Sequence, residues 1–216
     1  MDEAKYEWRK EERKLYPTMK RPTITTIPKQ TFIMLKGQGD PNGEAFGEKV
    51  AALYAISYAI KMAPKKKIIF PGAFDYTVYP LEGRWTLPDG YNQPTIDKTQ
   101  LIYTIMIKQP SFVTEAVLTQ AKTMVADKVS AQLLNDMTLK TTTEGLVGML
   151  LHIGSFDTER EDFERLEYFL HNEGYERTEK AHKEIYLSDF RRVAEDKRKT
   201  LLRVAIAKDQ TLRGSF

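Results

Sequence analysis

Along this chain of 216 residues the spacing of apolar positions changes period several times. Apolar runs of strand length occur at 31–37 (TFIMLKG), 101–108 (LIYTIMIK), 144–154 (EGLVGMLLHIG) and 199–208 (KTLLRVAIAK). Each predicts a β-strand. Between them the period lengthens. Phe46, Val50, Leu53, Ser57 and Ile60 recur near helical spacing over 43–61, as do Phe163, Leu166 and Leu170 over 157–174. Gly174 supplies the C-terminal stop of the second of these helices. Ser111 predicts the cap of a third helix, with Val113, Val117, Ala121, Met124 and Val125 on one stripe. Residues 4–16 read as a short charged helix whose large apolar groups are Tyr6, Trp8 and Tyr16. Pro17, Pro22 and Pro28 then predict extended chain. Residues 67–83 read as extended segments broken at Pro71–Gly72, and 84–95 as turns.

The order strand–helix–strand–strand thus occurs twice, joined by a helix. It predicts an α+β fold of two pseudo-symmetric strand–helix–strand–strand modules, with antiparallel sheets and a ligand groove between them. The expected bounds are a charged N-terminal extension over 1–29, one domain over 30–208 and a tail over 209–216. Within the domain the repeats fall at about 30–110 and 138–208, with the linking helix over 111–137. In this arrangement VYPLEG (78–83) corresponds to HKEIYLS (182–188), so Glu82 and Glu184 occupy matching places.

The stretch HKEIYLSD carries the clearest chemistry. Alternation puts His182, Glu184, Tyr186 and Ser188 on one face of a strand and Ile185 and Leu187 on the other. Lys183 then faces away from Glu184. Glutamate is depleted in strands and costly to bury, so that face is either wet or presents a carboxylate to something. A partly desolvated glutamate has a raised pKa and serves as general base or acid near neutrality. Tyr186 is placed to donate a hydrogen bond to it, and His182 to orient it. Glu82 is either a second groove carboxylate or a turn residue beside Gly83. Trp85 and Tyr103 are either platforms for a flat ligand or ordinary core, and Tyr103 shares a strand face with Leu101, Ile105 and Ile107. His152 is either a proton shuttle or a satisfied structural histidine. Folded over the groove as a lid, the N-terminal segment would bring Trp8 against the ligand.

Composition narrows the classes. The net charge is +3, and residues 1–22 account for two of those charges, so the rest of the chain is close to neutral. That argues against a nucleic-acid binder, which concentrates basic residues on one face. The chain contains no cysteine, so thiol nucleophiles, disulfides and thiolate metal sites are excluded. The histidines at 152, 171 and 182 have no ligand spacing, and no metal is expected. GQGDPNG (37–43) lacks both the dinucleotide spacing and the phosphate-loop lysine, and reads as a turn. No cofactor is implied. No run approaches the length of a bilayer span, so no membrane partner is expected. A cytoplasmic location fits these features.

LKGQGDPNG, YPLEGRW, YTIMIKQPSFVT, EGLVGMLLHIGSF, HKEIYLSD and KTLLR occur in this order between about residues 30 and 207. Together they resemble the GyrI-like small-molecule-binding domain family. The resemblance implies the two-module fold above and planar, lipophilic small molecules as partners. That superfamily includes drug-sensing domains of transcription regulators, which bind flat or lipophilic cations beside a buried glutamate. The stand-alone branch that this chain most resembles contains hydrolases of cyclopropanoid DNA-alkylating natural products of the yatakemycin class. The family's glutamate in EIYLSD falls on Glu184, the one in PLEG on Glu82, and the following tryptophan on Trp85. Phe190 stands where proline is usual, and Lys183 where a second histidine is common. No DNA-binding helix-turn-helix segment precedes the domain, so a detoxifying hydrolase is expected before a regulator. The rival expectations are a non-catalytic binder that sequesters planar or cationic drugs and a protein acting on a large partner such as a topoisomerase. The oligomeric state stays open.

Overall fold

The structure, a computed structural model, describes residues 4–189 and 191–209. Phe190, and the tail beyond Asp209, lie outside the described residues. The elements run α1 Trp8–Glu11, β1 Thr23–Gln38, α2 Glu44–Met62, β2 Leu81–Thr86, β3 Ile102–Gln109, α3 Glu115–Met124 and α4 Ala131–Asp136, then β4 Thr138–Ile153, α5 Glu159–Asn172, β5 Tyr175–Arg177, β6 His182–Tyr186 and β7 Lys199–Lys208. The class is α+β, as the pattern predicts.

The strands form one antiparallel sheet in the order β4-β1-β3-β2-β6-β7-β5. β4 also pairs with β7, so six strands close into a barrel. Closure pairs the edges that two separate module sheets would have left open. Two sheets were expected, and one continuous sheet is found.

The long strands make this closure. β1 and β4 have 16 residues each, against the seven and eleven expected from their apolar cores. β1 starts at Thr23, inside the segment assigned to the N-terminal extension, because its polar first half is held by pairing from Thr23–Met149 to Thr31–Thr141. The pairing skips Pro28, which has no N–H to give. Beside the gap Gly145 takes φ +73°, a left-handed conformation that favours glycine. Here the burial of β1 changes phase: Ile27 is buried, Pro28 and Lys29 are exposed, and Gln30 is buried. The kink lets one strand serve two walls of the barrel.

Both long helices pack on the outer face. α2 lays Leu53, Ile56 and Ile60 on Ile33, Leu35, Ile105 and Ile107, all nearly inaccessible to solvent. Burying such side chains contributes about 1.5–3 kcal/mol each. α5 sets Leu166 and Leu170 against Leu150, Val204 and Ile206. α3 begins at Glu115 because Thr114, not Ser111, accepts from the Val117 N–H. Between α2 and α5 the outer face of β2 and β6 is met by the first turns of the two helices, through Phe46 on Trp85 and Phe163 on His182.

The N-terminal segment folds onto the barrel, and among its described residues one turn is α-helical. Trp8 is 2% exposed and packs on Tyr16 and Tyr79, and its Nε1 donates to the Val78 carbonyl at 3.0 Å. Glu12 accepts from Tyr6 Oη (3.0 Å), Tyr79 Oη (2.6 Å) and Lys108 Nζ (2.5 Å). Arg203, on the barrel's inner face, donates to the Leu15 carbonyl at 2.9 Å. This segment therefore covers one end of the barrel. It is not a lid on the groove, and Trp8 has no ligand-facing side there, because its ring and N–H are both engaged inside the fold.

Candidate functional site

The centre of the outer face is built by strand register. Gly83 of β2 stands opposite Glu184 of β6, and Trp85 opposite both His182 of β6 and Tyr103 of β3. His182, Glu184 and Tyr186 share this face by alternation, as the sequence predicts. The Glu184 carboxylate accepts from Tyr186 Oη at 2.8 Å through Oε2 and from His182 Nε2 at 3.0 Å through Oε1. Tyr186 Oη in turn accepts from Trp85 Nε1 at 3.1 Å. The relay Trp85 to Tyr186 to Glu184 fixes the carboxylate on one side, and His182 on the other. The side chains of Glu184 and His182 are 12% and 25% exposed, so this edge of the face meets solvent.

Aromatic rings wall the site. Phe46 of α2 meets Trp85 at 5.7 Å and Tyr103 at 5.1 Å between centroids. Phe156 meets Tyr186 at 5.8 Å, and Phe163 of α5 meets His182 at 4.8 Å. Trp85 and Tyr103 lie flat on the sheet because glycine is beneath each. A Cβ on Gly83 would sit 2.5 Å from Trp85 Nε1, and one on Gly37 would sit 2.4 Å from the Tyr103 ring. Both rings are nearly buried. They are packed walls in this state rather than open platforms, and Trp85 reaches Glu184 through Tyr186.

A second carboxylate stands beside Glu184. Glu159, the first residue of α5, is 7% exposed, and its Oε1 has no hydrogen-bond partner among the described residues. Burial pushes its carboxyl well above the usual range, and the charges of Glu184, Asp162 and Asp157 push the same way. Glu159 therefore keeps its proton to higher pH than an ordinary glutamate does. The Tyr186 hydroxyl is also pushed up, by burial first and by Glu184 next, so it remains a donor to the carboxylate. Glu159 escaped the sequence reading although a signal was present. It lies four residues before Phe163 and seven before Leu166, a carboxylate on an otherwise apolar stripe.

Glu82 is not in this site. Its register partner on β6 is Ile185, not Glu184, so it points into the barrel. It is fully buried and accepts from Lys183 Nζ at 3.0 Å. Matching places in two strands did not give matching faces, because the two strands meet one residue out of step. His152 is 3% exposed, with Nδ1 2.9 Å from Asp162 and Nε2 2.9 Å from the Ser155 carbonyl. Both ring nitrogens are occupied in tying β4 to the start of α5.

The GyrI-like small-molecule-binding domain profile matches residues 20–207. The chain belongs to the GyrI-like family. Among solved structures, it is similar to a hydrolase from Listeria innocua at 32% identity and TM-score 0.85, covering 94% of this chain and 100% of that one. A second structure of a Listeria innocua hydrolase matches at 33% identity and TM-score 0.86 over the same shares. The C-terminal domain of EcmrR shares the fold at 11% identity and TM-score 0.52, covering 87% of this chain and 98% of that one. No curated protein matches. No described helix is long and apolar enough to cross a membrane.

Proposed function

We propose that this GyrI-like protein is a hydrolase that adds water to the cyclopropane of planar cyclopropanoid alkylating compounds of the yatakemycin class, and so detoxifies them. One observation carries the reading: a carboxylate at the solvent edge of an aromatic-walled face, aimed by two hydrogen bonds, with the buried carboxyl of Glu159 near it. The similarity to the Listeria hydrolases supports it.

In such a compound a spiro-cyclopropane is conjugated to a dienone. Water attacks the strained ring carbon and gives its proton to Glu184. The C–C bond breaks, and its electron pair moves through the dienone to the carbonyl oxygen. The resulting phenolate takes up a proton, so water has been added across the broken bond. Strain relief and aromatisation drive the reaction, and the protein supplies position and a base. General-base assistance of this kind contributes about a hundred- to ten-thousand-fold. Tyr186 and His182 hold the base. Glu159, whose carboxyl burial pushes up, is placed to offer a donor to a ligand oxygen. The ligand enters at the His182–Glu184 edge, and apolar burial against Phe46 and Phe156 holds its flat body.

The test follows a yatakemycin-class compound by mass, with Glu184→Gln beside the natural chain. The reading predicts many equivalents of water adduct per protein and their loss in the variant, with binding kept. Unchanged compound bound equally by both proteins contradicts it and makes the domain a sequestering binder.

A further inference from the structure

The inner face of the barrel carries charges that the Glu184 chemistry does not use. Glu82, Lys183 and Arg203 are almost wholly buried there, and Glu144 joins them from β4. The N-terminal segment covers one end of the barrel. At the other end a cavity of about 360 Å³ remains, with Lys183, Arg203 and Glu144 in its lining. We propose that this cavity, which His182 borders from the groove side, is a second binding site for a small organic anion, a carboxylate on a compact apolar body, that does not use Glu184.

The chain itself shows that the floor accepts a carboxylate. Glu144 Oε1 takes a hydrogen bond from Lys183 Nζ at 2.5 Å and one from Arg203 Nη1 at 3.3 Å. Burial works against ionising Glu144, yet Arg203 and Lys183 hold its carboxyl below the usual range. The side chain is 20% exposed, and the next residue is Gly145 at the kink of β4. Glu144 therefore occupies the cation pair as an internal ligand at the solvent side, where a carboxylate from outside can replace it as it turns outward.

The walls and the field select the rest of the ligand. Met34 and Met106 give soft, adaptable apolar sides, and Ala181 and Ala205 leave the room. The volume is at the small end of ligand pockets, enough for a single ring or a short chain. Lys36, Arg84, Lys183 and Arg203 line the cavity against Glu144 and Glu179, with Glu82 bonded to Lys183. Cations outnumber carboxylates, so an anion is favoured over an amine of the same shape.

Benzoate is the probe, titrated into the full chain while the Arg203 Nε–H resonance is followed by NMR. Saturable shifts with a dissociation constant of about 0.1–10 mM are expected for nine non-hydrogen atoms. Glu144→Ala, which removes the internal competitor, tightens binding about tenfold or more. Ala205→Phe, or Thr104→Phe if the first does not fold, abolishes it by filling the cavity. Glu184→Gln leaves it unchanged, which keeps this site separate from the Glu184 reaction. The proposal is overturned if the shifts do not saturate, if folded Glu144→Ala binds no tighter, if Glu184→Gln abolishes binding, or if benzylammonium binds better than benzoate.

Discussion

Lys183→Met tests whether Glu82 is a structural rather than a groove carboxylate. Lys183 donates to Glu82 at 3.0 Å and to Glu144 at 2.5 Å, and its Nζ lies 4.7 Å from the Phe32 ring centroid. Its side chain is 8% exposed, and that of Glu82 is fully buried. Removing the ammonium takes away the cation bonded to Glu82, in an interior closed to solvent. Breaking one side of a buried pair costs about 3–5 kcal/mol. For a chain of this size, each kcal/mol moves Tm by about 2–4 °C. The variant is therefore expected to melt about 6–20 °C lower. Adding Glu82→Gln removes the stranded charge, so the double variant recovers part of the loss, with a coupling of at least about 1.5 kcal/mol. Urea denaturation of the four proteins measures it. Additive effects, or a loss below about 1 kcal/mol for Lys183→Met alone, refute the argument.

Glu82→Gln by itself leaves turnover of a groove substrate unchanged, measured by product formation, because residue 82 does not face Glu184. Tyr186→Phe strands the buried Trp85 N–H and removes one of the two bonds to Glu184. Denaturation reads a loss of about 1–3 kcal/mol, and the rate constant for turnover falls more than substrate binding does. Gly83→Ala sets a methyl against the Trp85 indole, 2.5 Å from Nε1, so tryptophan fluorescence shifts and turnover drops as the relay to Glu184 opens. Glu159 gives a signed dependence on pH. Its folded pKa lies above its unfolded one, so below the ordinary carboxylate range it is protonated in both states and contributes no pH slope. As pH rises from that range towards the folded value, the unfolded chain ionises first and stability falls. Glu159→Gln lacks this loss, so its stability relative to the natural chain increases from pH 4.5 to pH 8 in denaturation curves.

The apolar runs carried most of the element order, because burial dictates their period. β7 fell where KTLLRVAIAK places it, and α2 within a residue or two of its stripe. The first half of β1 was hidden, since TITTIPKQ is polar and contains Pro28, and only pairing with β4 makes it a strand. Strand alternation alone put His182, Glu184 and Tyr186 on one face and Lys183 on the other. What alternation within one strand cannot give is the register between strands. A one-residue offset set Gly83 opposite Glu184 and sent Glu82 into the barrel. Packing likewise decided Trp8 and His152, whose partners Val78, Tyr79, Ser155 and Asp162 are brought to them by tertiary structure.

The central claim is that Glu184 activates water, and isotope labelling reads it most directly. The natural chain and Glu184→Gln are each incubated with a yatakemycin-class compound in ¹⁸O-water, and the product is weighed and counted per protein. The account predicts a water adduct carrying one ¹⁸O, in many equivalents from the natural chain and near the uncatalysed background from the variant. Equal product from both proteins, or none beyond background from either, contradicts it.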